Sequence, residues 1–239
     1  MGRAFQNRKE SMAKTSDQNA RVYSRHSREI YVVAKQGGPE PDSNLALRGA
    51  IDRAKRAQVP SHVIEKAIDK ATGGAGEDFQ PARYEGFGPA GSMFIVDCLT
   101  DNPNRTISDV RNCFTKSNSK LGTPGTVAHL FDHLAIMRFA GQDEEAVLEA
   151  LLMADVDVTD VEDEDGKITV FVPPAESHKT EQALAEAFGE IEFEVNEIQF
   201  IPQTAVAVEG EEDQQMFERL TSMLDDVDDV QNVYHNVDA

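Results

Sequence analysis

Three absences narrow the class of protein first. The 239 residues include no tryptophan, only two cysteines and no long apolar run. Cys98 and Cys113 fall inside segments with the pattern of regular elements, which favours buried thiols in a reducing compartment over a disulfide framework. Uncharged apolar runs such as 93–96 are far shorter than the roughly 20 residues of a transmembrane helix. The sequence therefore predicts a globular protein without a membrane span.

The N-terminal stretch MGRAFQNRKESMAK is basic but lacks the apolar segment of a secretory signal. We therefore expect a cytoplasmic location.

Acidic residues outnumber basic ones, yet the excess is confined to one part of the chain. The formal net charge is −20. Residues 1–75 contain 14 Lys and Arg against 8 Asp and Glu, whereas residues 76–239 contain 9 against 35. Such a reversal is typical of a basic segment that binds nucleic acid, and ordinary surface charge is the alternative.

The basic segment has the pattern of three helices. The first is predicted over about 17–36 and ends at a pair of glycines, a usual C-terminal signal. The second is predicted over 43–58, with apolar residues at i, i+3, i+4 and i+7, and the third begins near Pro60 and ends at Gly73. Together they predict a small three-helix bundle, preceded by a flexible basic arm.

Cations are concentrated on one side of the first helix. Arg21, Arg25, Arg28 and Lys35 follow a spacing of i, i+4, i+7 and i+14, which confines them to about a quarter of the circumference. Such a row binds phosphates by displacing their condensed counterions, although a solvated face with i, i+4 ion pairs would show the same spacing. The predicted nucleic-acid-binding residues are the cations of this segment: Arg3, Arg8, Lys9, Lys14, Arg21, Arg25, Arg28, Lys35, Arg53, Lys55, Arg56, Lys66 and Lys70.

The stretch RYEGFGPAG contains three glycines in the order G-x-G-x-x-G, the spacing of a dinucleotide pocket. In such a pocket the glycines follow a strand and begin a helix whose N-terminus holds the pyrophosphate. Here they follow a linker at 74–82 and precede a β-rich run, SMFIVDCLT. The glycines are therefore predicted to shape a tight exposed loop.

Beyond this loop, strands and helices alternate. A strand at 92–100, a helix from about Asn104 and a strand at 126–132 are matched far downstream by a strand at 198–208, a helix at 211–225 and a strand at 228–235. Between them the pattern reads β-α-β-β-α-β, with strands at 134–139 and 191–197 as its first and last, the ferredoxin-like order.

The predicted fold class is α+β, with an N-terminal three-helix bundle followed by two small α+β domains, one of them ferredoxin-like and inserted into the other. The predicted domains are residues 1–75 for the bundle, residues 83–132 and 198–239 for the discontinuous domain, and residues 133–197 for the insertion.

Several motifs carry a resemblance to a known family. RAKRAQVPSHVIEKAIDKATGG, RYEGFGP, CLTDNPNRT, LGTPGTVAHLF and the closing DDVQNVYHNV resemble the YebC/PmpR family, most closely its YeeN-type branch. The similarity runs over essentially the whole chain. It implies a non-enzymatic regulator of gene expression, since members are described as DNA-binding transcriptional regulators and relatives, including a mitochondrial one, as translation activators.

The resemblance also implies an exposed surface of family type. Its residues are Arg83, Tyr84, Glu85, Gly86, Phe87, Gly88, Pro89, Asn104, Arg105 and Thr106.

Other motifs predict no chemistry. His129 and His133 are four residues apart but lie in a β pattern without the glutamate of a zincin, and Asp165-Gly166 is predicted to be a hairpin turn. Four aspartates at 225, 226, 228 and 229 are predicted to form a solvated turn, with weak magnesium binding as the less favoured alternative. No catalytic residue, metal site or cofactor is predicted.

Three hypotheses follow. The favoured one is a DNA-binding transcriptional regulator; the alternative is a ribosome-associated translation factor that contacts ribosomal RNA, for which Tyr23, Tyr31 and Phe87 would suit base stacking. An enzyme with an unrecognised site is the third. The expected partner is DNA or ribosomal RNA, with no membrane and no small-molecule substrate.

Overall fold

The computed structural model describes the backbone of residues 2–73, 78–141 and 143–238, and within these ranges the side chains from residue 19 onward. It contains an N-terminal helical bundle and two four-stranded sheets, each covered by helices. The α+β class, the bundle and the two sheet domains agree with the prediction.

The bundle consists of α1 (Gly2–Gly37), α2 (Leu45–Arg56) and α3 (Ser61–Thr72). Apolar residues at helical spacing form its core: Ile30, Ala34, Leu47, Ala50, Ala54, Val59, Ile64 and Ala67. Asn44 caps α2 by accepting a hydrogen bond from the Leu47 amide, and its side chain also donates to the carbonyl of Val33. One difference from the prediction is that α1 begins at Gly2, so the stretch expected to be a flexible arm belongs to the helix.

The second domain begins with β1 (Gln80–Phe87), β2 (Met93–Thr100), α4 (Pro103–Lys116) and the short β3 (Lys120–Leu121). The insertion follows, with β4 (Phe131–Ala140), α5 (Glu144–Met153), β5 (Asp160–Glu164), β6 (Lys167–Val172), α6 (Ser177–Phe188) and β7 (Val195–Pro202). The chain then returns to the second domain with α7 (Glu211–Asp225) and β8 (Val230–His235).

Both sheets are antiparallel. The second domain has the order β3-β1-β2-β8, and the insertion has the order β5-β6-β4-β7. The element order β-α-β-β-α-β of the insertion agrees with the ferredoxin-like prediction. Its β5–β6 hairpin turns at Asp165 and Gly166, which both have positive φ angles, 55° and 78°, as the predicted hairpin turn requires.

Two pairs of predicted strands are each a single strand in the structure. The strands expected at 126–132 and 134–139 are replaced by β4, and those expected at 191–197 and 198–208 are replaced by β7. Since β7 pairs with β4, it belongs to the inserted sheet, and the predicted boundary at residue 198 cuts through it. Ile191 and Phe193 pack on the inserted core from outside the strand, which explains why their pattern resembled a strand.

The two sheet domains share a junction, whereas the bundle has a separate core. Ile95, Val127, Phe131 and Phe200 form one buried cluster between the sheets. Cys98 on β2 and Cys113 on α4 are free and buried in the core of the second domain, as predicted. Burial raises the pKa of the Cys98 thiol to about 12, so this thiol is protonated at neutral pH. No helix in the described part of the chain is long and apolar enough to cross a membrane.

Candidate nucleic-acid interface

The cationic stripe of α1 faces the second domain. Each of its four members has a carboxylate partner: Arg21 Nη2 lies 2.5 Å from Asp226 Oδ1, Arg25 Nη2 2.9 Å from Asp225 Oδ1, Arg28 Nη1 3.3 Å from Asp229 Oδ1, and Lys35 Nζ 2.5 Å from Asp78 Oδ1. Three of these carboxylates lie at the end of α7 and in the turn that leads to β8, and we call residues 225–229 the acidic turn. The structure therefore pairs the stripe with the chain's own carboxylates.

The acidic turn is only in part the solvated turn that the sequence predicts, because Asp225, Asp226 and Asp228 are exposed but Asp229 is not. Asp229 is only 3% exposed, and Arg28 also donates hydrogen bonds to the carbonyl oxygens of Asp228, at 2.5 Å, and Leu99, at 3.2 Å. Arg28 further lies over the Phe79 ring, 4.8 Å from its centroid. The prediction was wrong for Asp229, because a run of aspartates does not reveal which of them a cationic helix will cover.

Asp229 is the centre of a buried polar network. It accepts hydrogen bonds from Thr106 Oγ1 at 2.7 Å, Thr100 Oγ1 at 3.2 Å and Arg105 Nη2 at 2.9 Å, besides its contact with Arg28. Burial raises the pKa of Asp229, but the hydrogen bonds from Thr106 and Arg105 outweigh it, and the pKa lies below its usual value. The network thus joins α1, β2, α4 and the acidic turn around one ionised carboxylate.

The remaining predicted cations divide into paired and exposed ones. Arg53 Nη2 lies 2.5 Å from Glu29 Oε1 inside the bundle, and Lys70 Nζ lies 5.7 Å from the centroid of the Tyr31 ring. Lys55, Arg56 and Lys66 are exposed on α2 and α3 and have no carboxylate partner among the described residues. The side chains of Arg3, Arg8, Lys9 and Lys14 lie outside the described residues.

Most of the predicted exposed surface at 83–89 is a strand. Residues 83–87 belong to β1, and Glu85, Gly86 and Pro89 are buried. Glu85 accepts hydrogen bonds from the backbone amides of Gly125, Val127 and Ala128, at 2.7, 2.7 and 2.9 Å. Burial raises the pKa of Glu85, yet these three amides lower it below the usual value. The prediction of an exposed loop is therefore wrong for the buried residues, because the Glu85 carboxylate is buried against the backbone of the loop at 125–128.

The other residues of that predicted surface differ in exposure. Arg83 and Phe87 are exposed, Tyr84 and Gly88 are half-buried, and Asn104 and Arg105 are exposed in the first turn of α4. Thr106 is fully buried in the Asp229 network. Arg83 pairs with Asp97 across β1 and β2 and lies over the Phe200 ring of the insertion, 4.3 Å from its centroid.

The glycines of the G-x-G-x-x-G stretch serve packing and a turn. A Cβ on Gly86 would collide with the Phe114 ring, and a Cβ on Gly88 would lie 2.5 Å from Phe94 and Ser92. Gly91 has a φ angle of 77° and ends the short 3₁₀ turn Pro89–Gly91 that joins β1 to β2. Strand β2 follows the glycines, as the sequence indicates.

The candidate metal ligands do not converge. His129 contacts the Gly125 carbonyl, while His133 stacks on Phe200 with ring centroids 4.3 Å apart. No group of three or more metal-binding side chains occurs among the residues that the structure describes.

The sequence reasoning missed the partners of the stripe. Asp229 belongs to the closing motif DDVQNVYHNV, which resembles the family, but the motif does not indicate what Asp229 contacts. For Asp225 and Asp226 the only signal was charge opposite to that of the stripe. Neither signal indicates a contact between residues 200 positions apart.

The fold and this interface define a three-part chain whose basic helical bundle rests on an acidic pair of α+β domains. A family model described as the TACO1/YebC N-terminal domain matches residues 3–74, and one described as the TACO1/YebC second and third domain matches residues 79–237. The chain belongs to the TACO1/YebC family, as the sequence motifs predict.

Similar proteins cover the full length. A protein of Saccharophagus degradans is 69% identical and one of Hydrogenovibrio crunogenus is 67% identical, each over 100% of both chains, and both are named "Probable transcriptional regulatory protein". A crystal structure of the conserved hypothetical protein Aq1575 from Aquifex aeolicus is 34% identical, with a TM-score of 0.73, over 92% of this chain and 90% of that one.

Proposed function

We propose that this protein is a nucleic-acid-binding regulator of gene expression that acts on DNA as a transcriptional regulator. Two observations support the proposal: the basic bundle is the one cationic part of an acidic chain, and the full-length relatives are named as transcriptional regulatory proteins. In this proposal the protein works in the cytoplasm, without catalysis, a cofactor or a small-molecule substrate.

The observation that carries the proposal is the exposed charge of α2 and α3. Lys55, Arg56 and Lys66 are exposed, and none of them forms an ion pair with a described carboxylate. Each contact of such a group with a DNA phosphate releases counterions and strengthens binding at low salt. The outer surface of these two helices is therefore proposed as the primary phosphate contact.

The first prediction tests this surface. Reversal of all three charges (Lys55→Glu, Arg56→Glu, Lys66→Glu) is expected to weaken binding to duplex DNA by about tenfold or more and to lower the salt slope by roughly 0.9 for each phosphate that is no longer neutralised. Fluorescence anisotropy titrations at several salt concentrations measure both quantities.

The matched control reverses three exposed cations of the second domain, Arg111→Glu, Lys116→Glu and Lys120→Glu. It changes the net charge equally but should leave most of the affinity. An equal drop in affinity for the two variants would contradict the proposed surface.

Crosslinking in cells with gradient fractionation tests the target: DNA regions in non-ribosomal fractions are expected, whereas ribosomal RNA crosslinks in ribosomal fractions would contradict the DNA assignment.

A further inference from the structure

The contact between the stripe and the acidic turn has a buried half and an exposed half. The side chains of Arg28 and Asp229 are 14% and 4% exposed. In contrast, Arg21 and Asp226 are 44% and 53% exposed, and Arg25 and Asp225 are 30% and 56% exposed. Buried and exposed ion pairs differ in strength, so the two halves respond differently to a competing anion.

The buried half anchors α1 to the second domain. Arg28 makes its contacts with Asp229, two backbone carbonyls and the Phe79 ring together, and Asp229 is held from the other side by Thr106 and Arg105. Removal of Asp229 would leave Arg28 buried without a carboxylate, and removal of Arg28 would cost the buried Asp229 one of its two cationic partners. The anchor therefore stays closed when the surrounding solvent changes.

The exposed half is held weakly. Ion pairs in this degree of exposure contribute little to stability and are screened by salt. Among the described residues, no apolar side chain of the second domain belongs to the bundle core. An open cleft of about 700 Å³ lies beside the contact, lined by Arg28, Phe79, Arg105 and further residues of α4, α7 and the acidic turn. Arg21 and Arg25 can therefore leave their aspartates by side-chain rotation alone.

A phosphate offers a guanidinium the same kind of acceptor that a carboxylate does. Both are anions with oxygen pairs that suit the two parallel N–H donors of arginine. A nucleic-acid backbone presents such groups in a row, with condensed counterions whose release adds to the binding free energy. The isolated carboxylates of Asp225 and Asp226 lack that additional driving force.

From these observations we propose that Arg21 and Arg25 form a latent phosphate-binding surface. The acidic turn covers this surface in the structure, and the backbone of a bound nucleic acid replaces Asp225 and Asp226 while the Arg28–Asp229 anchor stays closed. This inference rests on the proposed function and adds to it a second, internally masked contact surface beside the open one on α2 and α3.

The test removes the covering charges and leaves the arginines. Asp225→Asn with Asp226→Asn is expected to raise the affinity for duplex DNA by about three- to tenfold and to steepen the salt slope by up to roughly 0.9 for each freed arginine. The control, Glu186→Gln with Glu190→Gln, removes two exposed carboxylates of the insertion that have no described cationic partner and changes the net charge equally. A gain well above that of the control supports masking.

A second variant assigns the gain to the stripe. Arg21→Gln and Arg25→Gln, added to the two aspartate substitutions, should abolish the gain. Equal affinities of the unmasked and control variants, or a gain that persists without the two arginines, would overturn the inference. The reversal at Lys55, Arg56 and Lys66 reports separately on the proposed function, because it alters the open surface and leaves the masked one intact.

Discussion

Asp229 holds four elements together through a single carboxylate. Its oxygens accept hydrogen bonds from two threonines and two arginines while the side chain is almost fully enclosed. Asp228, its neighbour in the chain, offers Arg28 only a backbone carbonyl oxygen and is itself exposed. Of these two adjacent aspartates, one is buried and one is exposed, so Asp228 is a suitable control for Asp229.

The substitution Asp229→Asn is expected to lower the free energy of unfolding by about 2–4 kcal/mol, because it leaves Arg28 and Arg105 without their shared anion. Asp228→Asn is the matched control and should change it by no more than about 0.5 kcal/mol. Urea denaturation followed by circular dichroism measures both values, and similar values for the two variants would contradict the assigned network.

The same carboxylate produces a pH dependence. Burial raises the pKa of Asp229, but the hydrogen bonds from Thr106 and Arg105 hold it below its usual value in the folded state. Its stabilising contribution is therefore complete above the ordinary carboxyl pKa of about 3.9 and is lost as the pH falls through the lower folded value. The difference in unfolding free energy between the wild type and Asp229→Asn should be large at neutral pH and shrink in acid.

At Gly86, β1 passes closely under α4. A Cβ on Gly86 would lie 2.8 Å from the Lys120 carbonyl oxygen and 2.9 Å from Phe114 Cζ, so backbone and ring would both have to move. Gly49 lies inside α2, and a Cβ added there would have as its nearest neighbour the end of the Arg53 side chain, one turn further along the same helix, at 3.3 Å. The same substitution should therefore have opposite effects at the two positions.

Gly86→Ala is expected to destabilise the protein by about 1–3 kcal/mol through overpacking, whereas Gly49→Ala should stabilise it by about 0.5–1 kcal/mol because alanine favours a helix interior. Thermal unfolding of the two variants in parallel measures the signs. A stable Gly86→Ala protein would show that β1 and α4 are not in contact as described.

In the chain as a whole, the basic bundle and the acidic sheet domains have separate apolar cores. The bundle packs around its own apolar residues, while the two sheet domains are joined through the cluster at Ile95 and Phe200. Contacts between the bundle and the rest are mainly ionic, with Tyr31 and Phe79 forming an edge-to-face ring contact. The sheet domains therefore have a core that does not depend on the bundle.

A fragment spanning residues 78–239 is expected to unfold cooperatively, with the strand and helix content that these residues have in the full chain. It should not bind DNA measurably, since it retains the acidic part of the chain without the basic bundle. Circular dichroism, thermal unfolding and the same anisotropy titration check the expectation. A fragment without a cooperative transition would show that the bundle completes the fold of the second domain.

Much of the architecture follows from local patterns. Helical spacing and glycine stops locate α1, α2 and α3, the Asp-Gly pair locates the β5–β6 turn, and the motifs identify the family. Strand limits were less accurate, because alternation near His133 and Phe193 does not distinguish a paired strand from a loop that packs on a core. The candidate site was predicted only in part, since exposure of Glu85 and Thr106 depends on distant groups.

The sequence by itself determined that four cations share one face of α1, because the angle between residues of a helix depends only on their separation. It could not determine what that face contacts. Arg25 and Asp225 are 200 residues apart, and their ion pair exists only because the bundle docks on the turn between α7 and β8. Tertiary structure alone decided that the stripe is covered and that Asp229 is buried, because both depend on the free energy of packing distant elements together.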